Sequence, residues 1–144
     1  MVHVSRTFTV DKPVGVVVEY LKDFGNAVEW DPGTQECTRI GAGPIQVGSS
    51  WLNVSKVLGR TTELTYRLDT LEPGHLVFVG ENETATSTDD IRVEPAGDAA
   101  AQITYSATID LHGAAKLGAP VMKLEFEHLG NATEKQLTEV IARL

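Results

Sequence analysis

The chain has 144 residues, 42% of them hydrophobic and 22% charged, which fits a single folded domain over residues 1–144 and excludes disordered and collagen-like classes. Lys and Arg total 12 against 20 Asp and Glu, a formal charge of -8 that repels nucleic-acid phosphates and anionic membranes, so neither is an expected partner. The only cysteine, Cys37, can form no intramolecular disulfide and supports no thiolate zinc site, a usage that suits a reducing cytoplasm.

Val2, Val4, Phe8 and Val10 alternate with His3, Ser5, Thr7 and Thr9, the period of a strand with one buried face, with Arg6 interrupting the apolar set. This segment lacks the continuous apolar run of a secretory signal, and Val14 to Val18 is too short to span about 30 Å of hydrocarbon, so no membrane insertion is expected. Asp11 is placed to cap a helix whose first turn holds Pro13 and whose Val14, Val17, Val18 and Leu21 share one face. A second short helix is expected over Asp23 to Glu29, followed by a turn at Trp30-Asp31-Pro32-Gly33.

From Thr34 to His112, β-rich segments recur between turn signals at Gly41 to Gly48, Gly59-Arg60, Pro73-Gly74, Asn82 to Ala85 and Pro95 to Asp98, predicting about six further antiparallel strands. In Ala101 to His112, Ile103, Tyr105, Ala107, Ile109 and Leu111 face one way and the polar residues between them the other; Leu64, Tyr66 and Leu68 repeat the pattern. Leu76 to Val79 is apolar on both phases, so its register stays open. The apolar sheet face needs a cover. Met122, Phe126, Leu129, Thr133, Leu137, Val140 and Leu144 recur at spacings of three and four, a helical stripe of about 25 residues, or about 37 Å, with Pro120 in its first turn and Gly130 weakening its middle.

This order predicts an α+β fold: a curved antiparallel sheet of about seven strands wrapped around a long C-terminal helix, with two short helices after the first strand. It resembles the helix-grip fold of START-related and birch-pollen-allergen-like proteins. Val4-Ser5-Arg6-Thr7-Phe8 leading to Pro13, then Tyr20-Leu21-Lys22-Asp23-Phe24 and Trp30-Asp31-Pro32, are similar to the bacterial polyketide cyclase/dehydrase and lipid-transport group. Gly48-Ser49-Ser50-Trp51 and Asp90-Ile91-Arg92-Val93-Glu94-Pro95 match later pieces of that pattern. The resemblance implies a deep, mostly apolar cavity between sheet and helix that holds a lipid, polyketide or other small hydrophobic molecule.

If Ile91 and Val93 point inward, Asp89 does too, and the following hairpin should set Ile91 opposite Ile103 or Ala101 and Asp89 opposite Tyr105 or Ile103. A carboxyl in an apolar cavity has a raised pKa and can serve as a general acid or base; the alternative is a bulged strand or a wet rim. Tyr66 and Tyr105 lie on apolar phases and can orient a ligand oxygen, or can be core residues whose hydroxyls find a carbonyl. Trp30 and Trp51 offer flat surfaces to a ligand or simply fill the core, and Met122, Phe126 and Leu129 would line the helix side.

Glu125 and His128 lack a third metal ligand, and the sequence implies no cofactor. Ser49 and Ser50 lack a nucleophile elbow, His3, His75 and His112 fall on polar phases or a turn, and Cys37 beside Glu36 reads as an inert thiol. The expected function is binding of a small hydrophobic molecule. The alternative is a polyketide cyclase, aromatase or dehydratase in which Asp89 and Tyr105 form an acid-base pair. Monomer and homodimer are both compatible with the sequence.

Overall fold

The computed structural model describes residues 1–144. Strand β1 (Val2–Val10) is followed by α1 (Val14–Leu21), a short 3-10 turn (Phe24–Asn26) and α2 (Ala27–Trp30). Six strands come next: β2 (Thr34–Ile40), β3 (Ser50–Val57), β4 (Arg60–Glu72), β5 (His75–Glu81), β6 (Ala85–Pro95) and β7 (Ala101–Leu111). A second 3-10 segment (Gly113–Gly118) leads into α3 (Ala119–Ala142). The seven strands form one antiparallel sheet in the order β1-β7-β6-β5-β4-β3-β2. Breaks in register between Thr34 and Glu36 and between Leu68 and Thr70 insert bulges, which bend and twist a sheet. The β3–β4 hairpin turns through Leu58 and Gly59, both with positive φ, the geometry whose twist matches the flanking strands.

Several local expectations shift. Asp11 does not cap α1: Pro13 holds the N-cap position in extended geometry, and its carbonyl accepts from the Val16 and Val17 N–H groups. Asp23 instead caps the next turn by accepting from the Gly25 N–H at 2.9 Å, and Trp30 ends α2 rather than starting a turn. The open register of β5 resolves with Leu76 and Phe78 fully buried and Val77 and Val79 half-buried on the opposite face. The β6–β7 hairpin pairs Ile91 with Tyr105 and Asp89 with Ala107, one inward pair further along β7 than expected. The loop causes this: Ala96 N–H bonds the Ala100 carbonyl at 3.0 Å, so the turn takes more residues than a tight hairpin. A slip of two preserves which face each side chain occupies, so Asp89 stays inward.

Helix α3, 24 residues and about 36 Å long, divides in two. Its C-terminal half docks through Thr133, Leu137, Val140 and Ile141, all buried, while Leu144 lies past the helix end and is exposed. Gly130 sits at the division, where a Cβ would fall 2.7 Å from Val4 Cγ2 on β1, so the absence of a side chain lets helix and sheet meet there. Arg6 completes the junction: Nε donates to Asn131 Oδ1 at 3.0 Å, and Nη2 donates to the Glu127 carbonyl and carboxylate at 3.1 and 3.0 Å. The cation that interrupts the apolar pattern of β1 is thus a tie to the helix. N-terminal to this tie, Met122, Phe126 and Leu129 are only half-buried, because the helix spans a gap instead of lying on the strands. No helix is long and apolar enough to cross a membrane.

Candidate functional site

The gap is a cavity of about 580 Å³ between the sheet and the N-terminal half of α3. Leu64 on β4, with Ala107 and Ile109 on β7, provides apolar wall, and Met122, Phe126 and Leu129 form the roof. Its exposed lining residues, among them Leu58, Arg60, Thr84, Gly118 and Val121, mark a mouth between the β3–β4 turn, the β5–β6 turn and the start of α3. This volume lies within the range of sites for drug-sized molecules.

Polar groups collect at the deep end. Inward residues of β6 alternate as Ala85, Ser87, Asp89, Ile91 and Val93, all buried, so strand parity delivers the Asp89 carboxyl into the apolar interior. Tyr105 opposite Ile91 reaches diagonally, and its hydroxyl donates to Asp89 Oδ2 at 3.2 Å. Burial and then the nearby Asp31 carboxylate push the Asp89 carboxyl up from 3.8 to about 8, only partly opposed by the Tyr105 hydrogen bond. At neutral pH Asp89 is therefore mostly the neutral acid. Burial and the Asp89 charge also hold the Tyr66 and Tyr105 hydroxyls well above their usual range, so both remain protonated.

Asp31, which the turn reading at Trp30-Asp31-Pro32-Gly33 assigned no chemistry, is the second carboxyl lining the cavity. Its Oδ1 accepts from the Gly33 N–H at 3.1 Å and its Oδ2 from the Thr34 hydroxyl at 2.8 Å. Thr34 in turn accepts from Asn53 Nδ2 at 3.0 Å, and Asn53 Oδ1 accepts from the Ser55 hydroxyl. Burial raises the Asp31 pKa, and these two hydrogen bonds pull the other way. One sequence signal for this network existed: Trp51, Asn53 and Ser55 share a strand phase, so a buried Trp51 brings two polar side chains inward with it.

Of the expected site residues, Tyr66, Asp89, Tyr105, Met122, Phe126 and Leu129 all line the cavity. Trp30 and Trp51 do not; both are fully buried in an aromatic cluster behind it. Trp30 meets the Tyr105 ring edge-on at 5.9 Å, Phe24 lies 4.4 Å from the Tyr66 ring, and Trp51 donates its indole N–H to Asp23 Oδ1 at 3.2 Å. The tryptophans and Phe24 therefore brace the two tyrosines that face the cavity. Gly80 bears on the same ring from β5, where an added Cβ would lie 2.6 Å from Tyr66 Cζ. With Phe24 behind it the ring cannot retreat, so Gly80→Ala is expected to cost about 1–3 kcal/mol. Thermal denaturation checks this, and a variant as stable as the parent would contradict the packing described.

The Cys37 thiol is pushed up to about 11, chiefly by burial; Glu36, its sequence neighbour, is not among the causes. His3, His75 and His112 bond Thr108, Asp90 and Thr86 outside the cavity, and Glu125 and His128 do not line it.

Comparison with known proteins gives a consistent picture of the fold. A family model described as polyketide cyclase / dehydrase and lipid transport matches residues 1–144. The Zhui aromatase/cyclase from Streptomyces sp. R1128 superposes with a TM-score of 0.81 at 17% identity, covering 98% of this chain and 93% of that one. A START superfamily protein from Mycobacterium smegmatis superposes equally well, with a TM-score of 0.81 at 12% identity over 98% of this chain and 97% of the other. No curated protein matches the sequence.

Proposed function

The chain belongs to the polyketide cyclase / dehydrase and lipid transport family, and from that premise we propose that it binds one small hydrophobic molecule in the cavity beneath α3. The observation that carries this reading is the cavity itself, about 580 Å³ of space with an apolar wall and roof and a few polar groups at its deep end. Well-packed interiors hold few voids larger than a water molecule, so a space of this size costs stability unless something uses it. The guest's apolar body lies against Met122, Phe126 and Leu129, and its polar atoms meet Asp89, Tyr105 and Tyr66. We read the protein as cytoplasmic from its single, unpaired Cys37, and its partner as the small molecule alone.

Nile red, a neutral dye that brightens in apolar surroundings, tests the binding reading. It is expected to bind the parent at a single site with a blue-shifted emission, and to be lost from Ala107→Trp, where the indole fills space beside Tyr105 and Asp89. Equal binding by parent and variant would place the dye elsewhere and count against the cavity.

A second reading is favoured by one observation, the hydrogen bond from Tyr105 to a carboxyl raised to about 8 inside the cavity. A group with a pKa near the working pH is suited to move protons, so the pair is fit to act in ring closure or dehydration of a polyketide-like chain, Asp89 as acid or base and Tyr105 polarising a carbonyl. In that case Tyr105→Phe loses turnover of such a substrate while still binding Nile red. Full turnover in the variant would remove Tyr105 from the chemistry.

A further inference from the structure

Charge within the cavity is one-sided. Asp31, Arg60 and Asp89 are the only side chains with a formal charge that line it, and Arg60 is exposed at the mouth, so the deep end holds two carboxyls and no cation. The roof offers none either, since its lining residues are apolar side chains with Gly130 and Thr133. Arg6, the β1 cation tied to α3, is already spent on Glu127 and Asn131.

Hydrogen bonding sharpens the deficit. The Thr34 and Tyr105 hydroxyls both donate to the carboxyls, to Asp31 Oδ2 and Asp89 Oδ2, so they have no proton left for a ligand oxygen. Asp89 is only 4% exposed, and while Oδ2 takes the Tyr105 hydroxyl, no protein donor reaches Oδ1. Oδ1 is thus free to pair with a group in the cavity, and a cation arriving there takes the place of the acid proton and stabilises the ionised carboxyl that burial alone disfavours. An anionic guest such as a fatty acid would bring a third carboxyl group to this end with no cation to pair it, and a purely hydrocarbon guest would leave Oδ1 unserved.

We propose that the ligand is a hydrophobic amine, whose apolar body lies under α3 and whose protonated nitrogen sits between Asp31 and Asp89. This rests on the reading of the cavity as a ligand site and deepens it by fixing the sign of the ligand's polar group. The titratable and charged groups facing that nitrogen are Asp31 from the α2–β2 loop, Tyr66 from β4, Asp89 from β6, Tyr105 from β7 and, at the mouth, Arg60. The tyrosines stay protonated, and α3 contributes no titratable group. A cation arriving beside Asp89 displaces its proton, so binding releases a proton and tightens as pH rises from about 6 towards about 8, the value at which Asp89 titrates alone.

Decylamine, decanol and decanoate separate the alternatives, because they share one chain and differ only in the charge of the head. With the full-length protein near neutral pH, isothermal titration is expected to show decylamine binding at least about tenfold tighter than decanol, and decanoate weakest. Asp89→Asn should remove most of the amine's advantage while decanol binding persists, which also reports that the cavity is intact. Asp98→Asn, an exposed change in the β6–β7 turn, should leave the advantage in place. Equal affinity for amine and alcohol, or an advantage indifferent to Asp89→Asn, overturns the amine proposal while leaving the hydrophobic site standing. Failure of all three to bind overturns the reading on which it rests.

Discussion

Asp89→Asn is expected to be more stable than the parent at pH 9 and nearly equal to it near pH 4. In the folded protein the carboxyl titrates at about 8 against 3.8 when free, so folding favours the protonated form. The stabilisation from that preference is complete below pH 4 and is lost as pH rises through 8, where the folded state must carry a buried anion beside Asp31. A shift of this size corresponds to on the order of 5 kcal/mol between the two ends of the range. Asparagine keeps the shape and can still accept from Tyr105, but it has no charge to bury. At about 3 °C per kcal/mol for a domain of this size, the variant's melting temperature should exceed the parent's by at least about 5 °C at high pH. Melting curves of both proteins across this range check it. A difference between them that does not change with pH would mean that Asp89 is solvated or paired differently.

The second large effect separates the two halves of α3. Leu137 is fully buried against the core, and truncation to alanine is expected to cost about 2–5 kcal/mol, a large share of the 5–15 kcal/mol that holds a typical domain together. Met122 lies on the same apolar stripe, yet its side chain faces the cavity and has few packed neighbours to lose. Met122→Ala should therefore cost less than about 1 kcal/mol while weakening Nile red binding several-fold. Denaturant titration of both variants measures the contrast. Comparable losses at the two positions would show that the N-terminal half of the helix is docked, not raised over a void.

That contrast also marks where the sequence stops being informative. Alternation in Ala101 to Leu111 and in Leu64 to Leu68 reports strands and their buried faces directly, because side-chain parity follows from the pleat. Asp89 was legible for the same reason and survived an error in hairpin register, since a slip of two residues leaves the face unchanged. Helical spacing in Met122 to Val140 could not distinguish roof from anchor, as both demand apolar residues. What distinguishes them is the close approach at Gly130 and the tie from Arg6, contacts made only once β1 and α3 lie side by side. Asp31 stayed hidden because its role depends on Thr34, Asn53 and Ser55 converging from two strands, and a turn signature says nothing of what the turn faces. Trp30 and Trp51 looked like ligand surfaces because composition cannot tell a cavity wall from the layer behind it.

The most direct test is where a bound guest touches the protein. In NMR spectra of the chain saturated with decanol, nuclear Overhauser contacts are expected from the alkyl chain to Met122, Phe126 and Leu129 and to the Tyr105 ring. Contacts confined to the exposed Leu117 and Leu124, or no contacts with the cavity residues at all, would contradict a ligand site beneath α3.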